Sequence, residues 1–445
     1  MTFFRRNTAP RWTCISGATA MANINIRLRS VALIVLIVAV LGSGGTAAAE
    51  EAEAQHEYLP NEVLVKLYDA DDLKAVAAAH GLNSAPIAQF GARSIYRLAI
   101  TDGSSPVKKA TALTNDGRVQ YAEPNYLGQT PEGRQRYSWT VGDDAGQYAE
   151  QWAPETMRLA EAHVVTRGAD VTVAILDTGV DATHPVLQGK LRPGRDFVDL
   201  DDDPSEVGIA GEDVAYGHGT HVAGLVALAA PEATIMPIRV LDRNGTGNIW
   251  VLAEALKYAI DPDGKPNTDD GADVINLSLS TTRRTNLLAE IVGAVTCNEI
   301  SGEGEEDGEG EECKATGSLG VVVVAAAGNQ GSSTPEYPAG EGVAGSLAVG
   351  ASTEDDQPAS FSNRGTWVDV LAPGTNIVSS VPGGGYGVWS GTSMAAPLTA
   401  GEAALVRARY PDLTAPEVAD HVGARSRSIG DGRYRIDVAA ALGVK

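Results

Sequence analysis

The chain has 445 residues, 43% hydrophobic and 20% charged, ordinary globular usage that excludes wholesale disorder and a multi-span membrane protein. At roughly 150 residues per domain it has room for up to about three domains, or fewer large ones. Lys and Arg total 34 against 57 Asp and Glu, and the formal charge of -23 repels phosphate backbones and anionic lipid, which speaks against a nucleic-acid partner; it reads as a solubility surplus or as suited to a high-salt or extracellular setting.

Residues 31–41 (VALIVLIVAVL) form an uncharged run preceded by Arg27 and Arg29 and followed by small residues. Such a run falls short of the ~20 residues a membrane-spanning helix needs, and Ala47-Ala48-Ala49 offers a cleavage site, so residues 1–49 are expected to be a signal region that directs secretion. Met21 would begin a more ordinary signal than Met1 does.

Residues 50–128 carry the pattern of a small α+β domain. NEVLVKL alternates as a half-buried strand, DLKAVAAAHG and SPVKKATALTNDG are helices stopped by Gly81 and Gly117, and SIYRLAI and RVQYAEPNY are further strands. Residues 129–150 are polar and aperiodic and are expected to be an exposed, cleavable linker. From 151 to 445, near-continuous apolar runs (VTVAIL, ATIMPIRVL, ADVINLSL, GVVVVAAAG) alternate with helical segments. Strands buried on both faces read this way, so the class is α/β, doubly wound around a parallel sheet.

Three segments of that region converge on one chemistry. Asp177 ends a strand in AILDTGVDATHP, His218 opens a helix in GHGTHVAG, and Ser393 lies in SGTSMAAP where small residues lead into a helix. A serine hydroxyl is a weak nucleophile; it needs an imidazole to take its proton and a buried carboxylate to orient that imidazole and steady it once charged. Asn329 follows a buried strand, where its amide could meet the oxyanion formed when serine attacks a carbonyl, with the backbone N–H of Ser393 as second donor.

These blocks, in the order Asp, His, Ser, resemble the subtilisin family of serine peptidases. The resemblance implies a subtilisin-like domain with a seven-stranded parallel sheet, acting as an endopeptidase through an acyl-enzyme on Ser393. YLPNEVLVK and VQYAEPNY at the two ends of the preceding domain resemble the inhibitor-like propeptides of that family, which implies a ferredoxin-like fold, a zymogen that cuts itself, and the chain's own propeptide as an intramolecular inhibitor. His221, on the same helix as His218, reads as a hydrogen-bonded core histidine. A non-catalytic binding scaffold and a serine esterase remain open as other functions for the same letters.

The resemblance also implies an extended protein or peptide substrate held by strand addition between Gly245-Thr246-Gly247 and Ser278-Leu279-Ser280, with Ser280 where the family usually has glycine. Glu336, in STPEYPAG, aligns near the base of the first pocket, where a carboxylate favours Arg or Lys at the cleaved position; otherwise it is an exposed loop residue or one that merely fills the pocket. RDFVDLDDDPSE resembles the calcium loop of thermitase-like relatives, with Asp196, Asp199, Asp201 and Asp203 as ligands for a structural calcium; no cofactor is required for the chemistry. A second acidic stretch, 261–273, reads as an insertion loop. Cys297 and Cys313 bracket a Gly/Glu-rich surface insertion and are expected to form a disulfide after export. With no appended C-terminal domain visible, a monomer is the default.

Overall fold

Sheet strands that bury both faces must be apolar throughout, and the second half of the chain places such strands side by side. The computed structural model of the chain describes residues 57–134, 138–142, 145–265, 268, 270–296 and 319–445, with the backbone alone over 133–134 and 138–142. The expected signal region and the Cys297–Cys313 pair lie outside the described residues.

The N-terminal domain comprises β1 (Glu62–Leu67), α1 (Leu73–His80), β2 (Ala88–Gln89), β3 (Ile95–Ala99), α2 (Pro106–Thr114) and β4 (Val119–Glu123). Its sheet runs β2-β3-β1-β4, all antiparallel, the ferredoxin-like order expected. Gly81 stops α1 in a left-handed conformation (φ 63°) that a side chain would resist. Every residue of β1 is buried, although the sheet has helices on one face only. Val63, Val65 and Leu67 pack against its own helices, while Leu64, Ile95 and Phe90 join the core of the larger domain, where Phe90 meets Trp250 edge-to-face at 5.9 Å. This domain is therefore half of an interface.

The chain continues through β5 (Leu127–Gln129), a short turn over Pro131–Arg134, β6 (Ser138–Gly142) and a helix over Ala145–Glu150. The stretch expected to be a linker thus carries structure: β5 and β6 are each added to strands of the larger domain. Backbone pairing needs no alternation of side chains, so composition alone concealed it.

The larger domain contributes β7 (Thr172–Asp177), β8 (Arg195–Asp196), α3 (His218–Ala229), β9 (Thr234–Arg239), β10 (Thr246–Asn248), α4 (Ile249–Ile260), β11 (Val274–Leu277), α5 (Asn286–Val295), β12 (Val322–Ala326), β13 (Ser346–Ser352), β14 (Val370–Pro373), β15 (Ile377–Val381), β16 (Gly385–Trp389), α6 (Thr392–Arg409), α7 (Ala415–Arg425), β17 (Arg427–Gly430) and β18 (Arg433–Arg435). The main sheet has nine strands in the order β17-β18-β14-β13-β12-β11-β7-β9-β8 rather than the seven expected, because the hairpin β17–β18 extends one edge. Among the described residues, only the β17–β18 pair of this sheet is antiparallel. Alternation along β7 supplies both faces: Val173 and Ile175 pack with Val222 of α3 and Met394 and Leu398 of α6, while Ala174 and Leu176 pack with Trp250 of α4 and Leu288 of α5.

An ionisable side chain sits inside this core. Glu402 of α6 is fully buried, neither carboxylate oxygen has a hydrogen-bond partner among the described residues, and burial, aided by Asp437 and opposed by Arg435, pushes its pKa up to about 8. The fold favours the neutral acid, so the residue costs stability increasingly as pH rises from its ordinary value of about 4.5 to about 8. Glu402→Gln in an inactive background is expected to raise the thermal midpoint, with a gain small at pH 4.5 and growing to pH 8; a pH-independent difference would show that the charge is not the cause.

Candidate active site

The carboxyl ends of β7 and β12 and the N-termini of α3 and α6 meet at one place. Asp177 is the last residue of β7 and is fully buried; its Oδ1 accepts the Nδ1 proton of His218 at 2.7 Å and the backbone N–H of Thr178 at 2.7 Å. His218 is the first residue of α3, whose cap, Gly217, has φ 92°. His221, one turn along, stacks on Trp389 at 4.9 Å, and burial pushes its pKa down to about 3. It is the core histidine expected.

Ser393 is the second residue of α6, where backbone N–H groups have no helical acceptor, so its N–H is free of the helix's own bonds. Pro397, four residues on, cannot donate to the Ser393 carbonyl as a helical residue would, and the hydroxyl of Ser278 does so instead at 2.9 Å. Asn329 follows β12; its Oδ1 accepts both the N–H and the Oγ1–H of Thr392 at 2.9 Å, which leaves its Nδ2 pointing into the cleft.

Something already occupies that cleft. Glu132, in the turn after β5, places Oε2 2.7 Å from Ser393 Oγ and 3.2 Å from His218 Nε2, and Oε1 2.8 Å from Asn329 Nδ2. Gly391 leaves room for this side chain, because a Cβ at that position would stand 1.8 Å from Glu132 Oε1 and the glutamate would have to shift. Among the described residues, His218 and Ser393 meet through this carboxylate rather than through each other. Burial acts to lower the His218 pKa, but Asp177 and then Glu132 outweigh it and raise the group to about 10.

The segment leading to Glu132 lies where an extended chain would lie. β5 pairs antiparallel with β10, matching Gln129 to Thr246, Gly128 to Gly247 and Leu127 to Asn248. Thr130 N–H donates to Gly245 O at 2.9 Å, while Gln129 exchanges both backbone bonds with Ser280 at 2.9 and 2.8 Å. Gly245, Thr246, Gly247 and Ser280 are thus cleft rims. Ser278 serves Ser393, and Leu279 is buried beneath the cleft.

Glu336 is 5% exposed, which excludes the exposed-loop reading. Its Oε2 accepts from Ser280 Oγ at 2.5 Å and its Oε1 from Asn363 Nδ2 at 3.2 Å. It lines a cavity with Thr130, Pro131, Ser280 and Gln330.

The four aspartates expected to bind calcium do not converge. Arg239, at the end of β9, places Nη1 2.5 Å from both Asp196 Oδ2 and Asp199 Oδ2, while Asp201 and Asp203 each accept from backbone two residues on. A guanidinium stands where the ion would, so this set as folded does not fit calcium. In the 261–273 stretch, Asp261, Asp263 and Asp270 offer oxygens within 4.8 Å of one another, with Asp263 taken up by Lys265 and Thr268.

Two residues escaped the sequence reading, Glu132 and Glu206. Glu206 accepts Thr178 Oγ1–H at 2.6 Å and Thr220 Oγ1–H at 2.8 Å, bracing the residues beside Asp177 and His218; burial pushes its pKa up to about 7. Both lie in aperiodic loops, and only the threonines of DTG and GHGTH hinted that a partner was needed.

Comparison with known proteins bears on the family and the fold. Residues 168–431 match the subtilase family and residues 44–125 the fervidolysin N-terminal prodomain. The chain is 42% identical over 307 residues to a thermophilic serine proteinase of Bacillus sp. (strain AK1), covering 66% of this chain and 65% of that protein, and 35% identical over 280 residues to subtilisin E of Bacillus subtilis (strain 168), covering 60% and 63%. It spans less than two thirds of the length of these relatives. The crystal structure of fervidolysin from Fervidobacterium pennivorans superposes with a TM-score of 0.66 at 24% identity, over 88% of this chain and 62% of that one, a likeness of fold. With the match extending over more than half of its length, this chain belongs to the subtilase family.

Proposed function

We propose that the protein is a secreted serine endopeptidase made as a self-processing zymogen, whose N-terminal domain inhibits it until removed. The observation that carries this reading is the convergence of Asp177, His218, Ser393 and Asn329 at the end of a cleft already filled by extended backbone. A substrate chain would replace β5 between β10 and Ser280. His218 Nε2 then takes the Ser393 proton as Oγ attacks the carbonyl carbon. Asn329 Nδ2 and the Ser393 N–H hold the resulting oxyanion, His218 passes the proton to the departing amine, and water, activated by the same imidazole, releases the acyl group. Asp177 keeps the Nδ1 proton in place throughout.

Ser393→Ala is expected to abolish turnover and leave intact precursor, whereas the wild-type chain loses about 80 to 100 residues, counted from residue 50, in a time course of intact mass. A variant that processes itself normally would refute the assignment. Failure of the folded wild type to react with a fluorophosphonate would point to a binding scaffold, and ester cleavage without peptide cleavage to an esterase.

The acid–base role fixes the pH response. With both carboxylates beside it, His218 is stabilised in its charged form; that stabilisation is complete below the ordinary value of about 6.5 and is lost as pH rises through about 10. A charged imidazole cannot accept the serine proton, so the chain does not turn over substrate at neutral pH while Glu132 is in place, and self-cleavage requires Glu132 to leave the cleft first. Once Glu132 has left, the imidazole titrates lower, and kcat/KM on a peptide is expected to fall as pH drops through that lower value. A rate that rises toward pH 4 would contradict a histidine base.

The buried Glu336 carboxylate has two neutral donors and, among the described residues, no ion-pair partner. We propose that it selects Arg or Lys at the residue before the cut. Glu336→Gln is expected to reduce the preference for basic over apolar residues by about tenfold in peptide-library profiling, the scale of one charge-assisted hydrogen bond; an unchanged profile would make Glu336 a space-filling residue.

A further inference from the structure

We propose that the Glu132 side chain is itself an inhibitor: the cleft binds an extended segment carrying an internal glutamate and holds it uncut, with the carboxylate in the oxyanion site instead of a peptide carbonyl. This rests on the peptidase reading above and adds to it a ligand class, uncleaved peptides with a carboxylate placed two residues after the last backbone bond to the cleft.

Three observations carry it. First, the backbone register ends at Thr130, whose N–H is bonded to Gly245 O. The next residue, Pro131, has no N–H to continue the ladder, and the chain leaves the cleft in a tight turn over Pro131–Arg134. Second, the turn delivers Glu132 so that both oxygens are matched. Oε1 takes the Asn329 donor that would stabilise an oxyanion, and Oε2 takes the Ser393 hydroxyl and faces His218. Glu132 touches every catalytic side chain except the buried Asp177. Third, the charges match, because a carboxylate against an imidazolium is a charge-assisted pair. The carboxylate carries the negative charge that a tetrahedral intermediate develops, yet its carbon is electron-rich and has no departing amine, so Ser393 has nothing to acylate. The serine proton is also committed to Oε2, and the base that would remove it is held in its charged form.

The test uses two arms. A peptide with the sequence of Leu127–Arg134, acetylated and amidated so that the side chain supplies its only carboxylate, is added to the self-processed enzyme and compared with versions carrying Gln or Ala at the Glu132 position. The expected result is competitive inhibition by the parent peptide, which remains intact by mass, and at least tenfold weaker inhibition by both replacements. In the second arm, full-length wild type and Glu132→Gln are exposed to a fluorophosphonate before processing. Ser393 in the uncut variant is expected to label at least tenfold faster. Equal inhibition by the three peptides, cutting of the parent at the bond before its glutamate, or equal labelling of the two full-length chains would overturn the inference while leaving a working peptidase. An enzyme inert to both peptide substrate and probe would overturn the peptidase reading, and this inference with it.

Discussion

The cleft depends on one buried contact, the 2.7 Å bond from His218 Nδ1 to Asp177 Oδ1, made where neither residue is more than 1% exposed. A carboxylate and an imidazole removed from water in this way must be satisfied by protein alone, because each carries a desolvation cost that solvent can no longer offset. Thr178 N–H supplies one further donor to the same oxygen, Oδ2 has no hydrogen-bond partner among the described residues, and Glu206 fixes the threonines on both sides of the pair. The parallel sheet makes this practicable: β7 ends with its last side chain beneath the N-terminus of α3, and buried strands on either side allow no drift.

Ser393 and Asn329, the proposed nucleophile and oxyanion donor, are positioned by the same economy of backbone. Pro397 removes one helical bond from α6, and the freed Ser393 carbonyl is anchored by Ser278, which ties the nucleophile's helix to the loop after β11. Asn329 is oriented by spending its acceptor on Thr392 at the start of that helix. Each catalytic side chain is thus aimed by a neighbour that takes no part in bond-making, which is how a site avoids reorganisation when charge develops.

What could be read from the letters follows from how locally each feature is encoded. Asp177, His218, Ser393 and Asn329 sit in short motifs at element ends, where a tight turn or helix start demands small residues, so they stood out. The strand pattern of residues 62–67 and 172–177 marked the domains for a similar reason. Glu132, Glu206 and the Arg239 guanidinium act across tens to hundreds of residues from loops or strand ends whose composition carries no period. The aspartates around 196–203 were legible as an acidic cluster, but not the arginine that claims two of them. The edge hairpin β17–β18, β5 at the border of the 129–150 stretch and β6 within it were missed because backbone pairing leaves little mark on polar sequence.

The interface between the two domains has a consequence for what happens after the chain is cut. Glu123, at the end of β4, accepts the backbone N–H groups of Asn286 and Leu287 at 2.7 and 3.0 Å, so a carboxylate of one domain caps the first turn of α5 in the other. Asn125 is shared in the same way, bonding Glu62 and Asn248 and accepting from Trp250 N–H. None of these bonds involves the stretch where a cut would fall. On the reading proposed above, breaking the chain there leaves these bonds in place and converts a tethered inhibitor into a dissociable one, and what disappears is the effective concentration supplied by the tether. If the chain is the peptidase proposed above, the lag before full activity would then depend on dilution and on how quickly the first free molecules digest the detached domain, a burst that feeds itself once begun.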